Sequence, residues 1–447
     1  MPTESKSPSL SNPKGGTYLD SESKEKPKLV YPSLKIPFVL LVCCFAAWGS
    51  TANLTDVLVS VFKRVFTMSN FESALVQFAY YGAYFALAIP AAYINKSFGY
   101  KAGVLTGLGM AALGGFLFIP ASNFLVYEFF LLALFILAAG MSILETSANP
   151  FVIAMGPEAS AAQRLNLAQS FNPVGANIGV LLGALLIVPR LTPESAKVGA
   201  TDEQLLEILT QDLGLVLGPY IGIAIVLIVI WPLIAFRKIE TPQEEYEHQS
   251  KASNKGVFGR LYRNKHYRYG VLAQFFNVAA QTCTWTFTIQ YAQSVVGVSD
   301  DNASWFLQAS LIVFLISRFV MTYLLGKIRP SKLLLIMAAI GVVLASFATI
   351  SQNYAGLIAI VSISASLSLM FPTIYGVALE GLGADTKFGA AGLVMAILGG
   401  ALLPLVHGAA ADVAGHAVAY AVPAACLAIV AGYALFDLNS RRISHEG

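Results

Sequence analysis

Charged residues are scarce in this sequence. Asp, Glu, Lys and Arg make up 12% of the 447 residues, hydrophobic residues make up 56%, and the mean hydropathy is +0.67. Soluble domains carry about a quarter charged residues, so the composition excludes an ordinary soluble fold. The formal net charge of +3 is small, and nothing in it indicates nucleic acid as a partner.

Cysteine and catalytic motifs are also scarce. The four cysteines, Cys43, Cys44, Cys283 and Cys426, all lie in apolar runs without C-x-x-C spacing, and we interpret them as buried free thiols rather than metal ligands. The chain has no H-E-x-x-H, no G-x-S-x-G and no paired nucleophile and base. We therefore expect neither an enzyme nor a bound metal or organic cofactor.

Long apolar segments dominate the rest of the chain. Crossing a bilayer takes roughly 20 mostly apolar residues in one helix, because each backbone N–H and C=O must be satisfied within the segment. Twelve segments qualify: 37–62, 73–94, 102–120, 126–155, 164–188, 213–236, 268–293, 303–326, 331–350, 355–379, 388–411 and 417–438. The predicted fold is an all-α membrane protein with twelve transmembrane helices.

The polar segments divide the chain. Residues 1–36 lack a cleavable signal and are predicted to form a disordered cytoplasmic tail, so the first span is the targeting signal and the anchor. Residues 37–236 and 268–438 are two predicted six-helix bundles, joined by a charged linker at 237–267, and 439–447 is a second tail. Basic residues favour the cytoplasmic side. Both termini and the linker are predicted there, because only four basic residues, Lys63, Arg64, Arg190 and Lys197, fall in outside loops.

Two carboxylates stand out within the spans. Asp56 lies in the first predicted span and Glu145 near the middle of the fourth. A buried acid costs a few kcal/mol and is retained where it faces a cavity or a partner. Because desolvation disfavours the charged form, such an acid can take up a proton and release it when its surroundings change. Two six-helix bundles joined by a long cytoplasmic linker are the pattern of a transporter whose bundles rock about a central site. In such a transporter, we predict that Asp56 and Glu145 couple transport to protons.

Amides and aromatics share faces with these acids. Trp48 lies two helical turns before Asp56, Asn53 lies one turn before it, and Asn149 follows Glu145 at i+4. Further polar residues repeat along the fifth and seventh spans, at Asn166, Gln169 and Asn172 and at Gln274, Asn277, Gln281, Trp285 and Thr288. Amides bind sugar hydroxyls and aromatic faces cover sugar C–H groups. The alternative is that these amides only join neighbouring helices.

Two other polar residues within spans have open roles. Arg318 in the eighth span either binds substrate or pairs with a carbonyl as a structural tether. His407 in the eleventh span is either a proton relay or a structural histidine.

Several segments resemble the fucose:proton symporter family of the major facilitator superfamily. They are Trp48 with Asn53-Leu54-Thr55-Asp56, then 144–151, 166–172, 274–282 and 371–375. The resemblance implies proton-driven import of L-fucose or a related hexose, with Asp56 and Glu145 matching the family's two essential acids. Trp48, Asn53, Gln169 and Asn172 match its other cavity residues. Pro173 departs from the family's pattern and is expected to bend the fifth span near them, so the pocket need not match the fucose pocket.

The sequence thus predicts a proton-coupled monosaccharide importer in the plasma (inner) membrane. Its partners are a sugar, protons and the bilayer, and we take a monomer as the default because no segment marks an oligomer interface. The predicted substrate contacts are Trp48, Asn53, Asn149, Gln169, Asn172, Gln274, Asn277, Gln281 and Trp285. A facilitative or sodium-coupled glucose/galactose carrier is the nearest alternative, and a receptor or scaffold would leave the two buried acids unexplained.

Overall fold

The structure is a computed structural model, and every regular element in the part of the chain that it describes is helical. The described residues are 28–65, 70–124, 126–182, 190, 192, 200–239, 241 and 256–446, and side chains between 52 and 78 lie outside this description. The predicted disordered tail therefore falls largely outside the described residues, as do the middle of the predicted linker and most of the loop at 189–200.

The helices before the linker follow the predicted spans with shifted ends. They are α1 (Lys35–Val65), α2 (Asn70–Phe124), α3 (Tyr127–Ala154), α4 (Ala161–Gln169), α5 (Phe171–Leu182) and α6 (Asp202–Ala235). Helix α6 begins earlier than predicted because Thr201 forms a capping box with Gln204, which satisfies free N–H groups of its first turn.

After the linker the chain forms ten more described helices. They are α7 (Val257–Arg263), α8 (Lys265–Tyr291), α9 (Asp300–Leu325), α10 (Pro330–Ile350), α11 (Tyr354–Leu367), α12 (Met370–Leu379), α13 (Thr386–Met395), α14 (Gly399–Ala414), α15 (His416–Ala419) and α16 (Ala421–Glu446). Helix α16 continues through the segment predicted as a C-terminal tail. The predicted tenth span, 355–379, is interrupted between α11 and α12, at Ser368 and Leu369.

The helices fall into two groups by their contacts. In the first helical group, α1–α6, helix α2 packs along α3 and α6, and α1 packs along α5 and α6. In the second helical group, α7–α16, helix α16 packs against α8 and α10, and α11 packs against α9 and α10. The groups meet where α4 contacts α9 and α12 and where α13 contacts α2 and α3.

Several basic residues mark one end of the helices, which we call the basic end: Lys96, Lys101, Arg164, Arg260 and Lys387. Lys101 donates to the carbonyls of Ala235 and Arg237 at 2.7 and 2.6 Å, which caps the end of α6. Arg164 similarly donates to Val152 and Ile153 near the end of α3 and to Leu29 ahead of α1. These two cations, Lys101 and Arg164, are held by backbone carbonyls, several of which helix ends leave without partners.

The turn between the second and third predicted spans is sharper than expected. Helix runs up to Gly99 and resumes directly after it, with φ 85° and ψ 166° at Gly99, a conformation that is essentially restricted to glycine. Asn95 lies between the predicted spans 73–94 and 102–120, but it is fully buried and donates to the Thr146 carbonyl of α3 at 3.3 Å. The predicted second span therefore ends too early, because this polar residue has an acceptor inside the bundle.

The cysteine interpretation was right about the free thiols and wrong about one location. Cys44, Cys283 and Cys426 are buried, but Cys43 is exposed. Adjacent residues point about 100° apart on a helix, and α1 packs on the side of Cys44 while Cys43 points away from it.

Close packing of α2 against α3 depends on glycines that face each other. A Cβ at Gly140 would lie 2.2 Å from the backbone nitrogen of Ala111, and a Cβ at Gly107 would lie 2.5 Å from that of Leu144. Without a hydrophobic driving force between helices in lipid, such small residues allow the backbone approach that gives van der Waals contact.

We expect Gly140→Ala to push α2 and α3 apart and lower stability by about 1 to 3 kcal/mol, as overpacking does. The measurement is thermal unfolding of the purified protein in detergent. Gly214→Ala in α6 is the matched control, since nothing lies within 4 Å of its added Cβ. Equal stability of the two variants would contradict the close approach of α2 and α3.

Candidate functional site

Glu145 is a deeply buried acid near the middle of α3. It is 1% exposed, within a stretch of α3 that is buried at every residue from Leu137 to Val152. Neither carboxyl oxygen has a partner of normal hydrogen-bond geometry, although Asn149, one turn along, is close enough to interact with the group. A buried acid without such a partner is the arrangement expected of a group that changes its protonation state.

Two tyrosine hydroxyls, one from each helical group, lie near Glu145. Tyr84 of α2 and Tyr375 of α12 both lie within electrostatic range of its carboxyl group. Tyr84 accepts a hydrogen bond from Trp48 Nε1 at 3.0 Å, and its carbonyl accepts one from Ser142 at 3.1 Å. Tyr375 belongs to the second helical group, so the surroundings of Glu145 are built from both groups.

The predicted amides of the first group lie close to this acid. Gln169 Nε2 donates to Asn149 Oδ1 at 2.8 Å, and Asn149 also interacts with Tyr375. Asn172 is half-buried in α5 and donates to the Phe45 carbonyl at 3.5 Å. The structure therefore brings Trp48, Glu145, Asn149 and Gln169 together, and it places Asn172 beside α1.

Two predicted residues fall on α1 where side chains are outside the described residues. These are Asn53 and Asp56, so their contacts are not described, and the assignment of Asp56 to proton coupling stays a prediction.

The α8 residues form a separate wall. Gln274 is buried and donates to the Phe371 carbonyl at 3.5 Å, whereas both polar atoms of the buried Asn277 lack hydrogen-bond partners. Gln281 and Trp285 are half-buried, and Trp285 Nε1 donates to Ser364 at 3.2 Å. Among the described residues, no hydrogen bond joins these α8 side chains to the predicted residues of the first group.

Arg318 connects the wall formed by the amides of the first group, at Asn149 and Gln169, to the wall formed by the α8 side chains. Its guanidinium donates to the Gln169 carbonyl at 2.9 Å and to the Ser368 carbonyl at 2.6 Å, and it lies 4.7 Å from the centre of the Phe314 ring. Trp285 packs edge-on against the same ring at 5.0 Å. Of the two roles open for Arg318, the structure shows pairing with carbonyls.

Both carbonyls bound by Arg318 are available because of proline. In a continuous helix the carbonyl of residue i−4 accepts from the N–H of residue i, and proline has no N–H to give. Pro173 therefore leaves the Gln169 carbonyl free, and Pro372 leaves the Ser368 carbonyl free. The helix breaks between α4 and α5 and between α11 and α12 lie at these positions. The helix is interrupted at Ser170, three residues before Pro173, and the expected bend at Pro173 stays a prediction.

Other contacts between the groups lie toward the basic end. Asn166 donates to the Thr373 hydroxyl at 3.1 Å, and the hydroxyls of Ser170 and Thr322 are 3.3 Å apart. Phe388 of α13 packs edge-on against Tyr93 of α2 at 5.0 Å. These contacts close the space between the groups on that side of Glu145.

Two features at the basic end stay apart from the candidate site. A cavity of about 500 Å³ between the groups is lined by residues such as Gly156, Arg329 and Glu380, and by none of the predicted site residues. Arg260 binds both carboxylate oxygens of Asp385, at 2.7 and 2.6 Å, and this hydrogen-bonded carboxylate raises the pKa of Arg260.

His407 lies far along α14 from these features. It is buried, its ring stacks on Phe287 at 4.1 Å, and neither ring nitrogen has a hydrogen-bond partner. A relay needs a donor and an acceptor in contact with the ring, and the described surroundings are aromatic, so the structural role is favoured.

Sequence reasoning did not assign Tyr84, Tyr375 or Phe314 to the site. The chain has 19 tyrosines and 28 phenylalanines, so an aromatic within an apolar span carries little signal by itself. The usable signal for Tyr375 was its position shortly after Pro372, because a proline marks a break in the span.

The chain belongs to the Major Facilitator Superfamily, a class of multi-pass membrane transporters, and the family model matches residues 39–404. The prediction of a transporter rather than an enzyme is confirmed by this membership. Eight helices in the described residues are long and apolar enough to cross a membrane.

Named relatives extend over nearly the whole chain. It is 39% identical over 406 residues to the L-fucose-proton symporter of Escherichia coli K12, covering 90% of this chain and 93% of that one. It is 33% identical over 402 residues to the glucose/galactose transporter of Brucella abortus, with the same shares covered. The resemblance to fucose:proton symporters is thereby confirmed.

The fold is similar to a crystal structure of the major facilitator transporter FucP in the outward conformation. The TM-score is 0.85 at 38% identity, covering 91% of this chain and 99% of that one.

The proline account makes a prediction about Arg318. Arg318→Leu leaves two buried carbonyls without donors, and we expect a loss of about 2 to 4 kcal/mol in unfolding free energy. In the double variant with Pro173→Ala the loss should be smaller, because the substituted alanine supplies the N–H that the Gln169 carbonyl lacks. A double-mutant cycle of thermal unfolding in detergent measures this coupling.

Additive losses in that cycle would show that the carbonyl freed by Pro173 is not what Arg318 stabilises. Lys327→Leu is the control for loss of a cation, since Lys327 lies over the Tyr323 ring at 4.4 Å rather than between helix breaks.

Proposed function

We propose that this chain is a secondary active transporter that imports a monosaccharide, L-fucose or a related hexose, together with protons. The observation that carries the proposal is the buried carboxyl group of Glu145, without a normal hydrogen-bond partner and between tyrosines of both helical groups. The names of the relatives support the substrate class and the coupling ion.

The proposed arrangement in the membrane follows the basic residues. The chain crosses the plasma (inner) membrane twelve times, in two six-helix bundles. Both termini and the basic end lie on the cytoplasmic side. Helix α2 supports two of these spans, since its apolar stretch of 44 residues is more than twice the length needed and turns at Gly99. The contacts between the groups at the basic end, and the similarity to the outward structure of FucP, support an outward-facing state.

In this mechanism the protonation of Glu145 changes with the conformation of the transporter. Loading a proton from outside neutralises the acid, and sugar binding across the two groups then allows the bundles to rock and open the basic end. Because Tyr375 comes from the second group, opening separates it from Glu145 and changes the surroundings that hold the proton. Asp56 is the second proposed coupling acid.

The driving force is adequate for accumulation. One proton entering under about 100 mV and one pH unit releases roughly 2.3 kcal/mol from the potential and about 1.4 kcal/mol from the pH difference. The sum of these two free energies supports a sugar concentration gradient of roughly several hundred-fold.

The proposed sugar contacts are the residues of the two walls. Trp48, Asn149, Gln169 and Asn172 serve on one side, joined by Asn53, and Gln274, Asn277, Gln281 and Trp285 serve on the other. The unpartnered amide of Asn277 supports this assignment, because a buried amide without partners is expected where a ligand supplies them. A monomer suffices, since the site lies within one chain.

A carrier of glucose or galactose is the second candidate, favoured by the 33% identity to the Brucella transporter. Transport assays distinguish it from the first candidate by the sugar that accumulates.

We expect proteoliposomes with an inward proton gradient to accumulate one of L-fucose, D-galactose or D-glucose, and a protonophore to abolish the accumulation. Glu145→Gln and Asp56→Asn should each abolish gradient-driven uptake, since neither amide can carry the proton. Glu128→Gln, near the start of the same helix as Glu145, is the matched control and should transport normally. Equal downhill entry with and without the gradient, unaffected by the variants, would contradict the proton coupling.

The variant Asn277→Leu tests whether Asn277 binds sugar or only joins neighbouring helices. As a sugar contact, Asn277 leaves its amide unsatisfied without ligand, so Leu should not lower the stability of the sugar-free protein. The variant should instead lose the rise in unfolding temperature that bound sugar gives the wild type. Gln169→Leu is the comparison, because it breaks the bond to Asn149 and should destabilise the sugar-free protein too. If Asn277→Leu lowers the stability of the sugar-free protein and sugar still raises its unfolding temperature, the amide serves only to join helices.

A further inference from the structure

An open groove lies on the side of the molecule where the two helical groups meet. Its volume is about 530 Å³, and its lining includes Phe85 of α2, Leu272 and Phe275 of α8 and Met395 of α13. Phe85 and Leu272 are 44% and 48% exposed, so these apolar side chains face outward from the protein. In a protein of this class, that outward surface of the spans contacts the hydrocarbon of the bilayer.

One charged residue lies at one end of this apolar lining. Arg268, in the first turn of α8, is half-buried and lines the groove. Its guanidinium lies 5.3 Å from the centre of the Tyr262 ring and 5.2 Å from that of Tyr269. These ring contacts hold the side chain in place without neutralising it.

No carboxylate within the described part of the chain pairs with Arg268. Asp385, an acid of the basic end, is engaged by Arg260. Arg263 and Lys265 add two exposed cations just before Arg268. Basic residues with tyrosines at the start of a spanning helix are typical of the membrane–water interface. The groove therefore runs from a positive interfacial end into the hydrocarbon region.

We propose that this groove binds an anionic phospholipid, with the headgroup phosphate on Arg268 and one acyl chain along Phe85, Leu272 and Phe275. Burying apolar surface gains little in lipid, since the alternative surroundings are equally apolar. The shape of the groove therefore positions the acyl chain, and the guanidinium, which no carboxylate of the described residues pairs with, selects the headgroup. Arg presents several N–H donors in a planar fork that matches phosphate oxygens.

The test uses the full-length protein, purified and stripped of lipid in detergent. It is incubated with equal amounts of phosphatidylglycerol and phosphatidylcholine that carry the same acyl chains, and native mass spectrometry counts the bound lipids. We expect the wild type to retain phosphatidylglycerol about fivefold better, the ratio that roughly 1 kcal/mol per basic group at an anionic surface gives.

Variants locate the preference. Arg268→Gln should bring the two lipids to equal retention, and Arg268→Lys should keep most of the preference. Lys327→Gln is the matched control, because Lys327 also lies over a tyrosine ring but does not line the groove. Equal retention by the wild type, or an unchanged preference in Arg268→Gln, would overturn the proposal.

A second measurement tests the acyl chain and does not depend on the folding of an Arg268 variant. In Phe275→Trp, phosphatidylglycerol with brominated acyl chains should quench the added tryptophan fluorescence more than brominated phosphatidylcholine does. The same comparison in wild-type protein gives the background from its four tryptophans. Equal quenching by the two lipids would show that the groove holds lipid without headgroup selection, which also overturns the proposal.

Discussion

The closed arrangement of the two helical groups depends on one guanidinium between two helix breaks. Arg318 donates to the carbonyls of Gln169 and Ser368, one in each group, and both are free because Pro173 and Pro372 have no N–H. Inside a bilayer a free carbonyl and a lone cation are each costly, and together they satisfy each other. The site around Glu145 inherits this geometry, because Gln169 also donates to Asn149 one turn from the acid.

Side-chain donors bind free backbone carbonyls elsewhere in the molecule too. Lys101 caps α6 through the Ala235 carbonyl, Arg164 donates to carbonyls at the end of α3, and Asn95 donates to the Thr146 carbonyl that Pro150 leaves free. In these three cases the side-chain donors bind backbone carbonyls rather than carboxylates. Glu145, in contrast, pairs with none of these donors, and an unpaired carboxyl group can exchange a proton.

The sequence predicts the spans well because hydropathy and helix length are local properties. Predicted segments 303–326 and 331–350 correspond to α9 and α10 within a few residues. It also predicts that Glu145 and Asn149 share a face, since both lie on one helix four residues apart. It does not predict which helix lies opposite a given residue, so the partners of Arg318, the burial of Asn95 and the approach of Tyr375 to Glu145 need three-dimensional packing. Asn277 was a candidate by spacing alone, and only the structure reveals its unpartnered amide.

The helix breaks at Pro173 and Pro372 divide two long elements into short ones. Helices α4 and α12, of 9 and 10 residues, pack against each other at the basic end, with Gly376 allowing close approach to Ala162. A pair of short segments with its own hinges can shift without dragging α5 and α11 along. Small local movements of this kind occur faster than the rotation of whole domains. Because α4 ends at Gln169 and α12 contains Tyr375, a shift of this pair at the two prolines would also move two residues near Glu145, so movement at the basic end is mechanically linked to the acid.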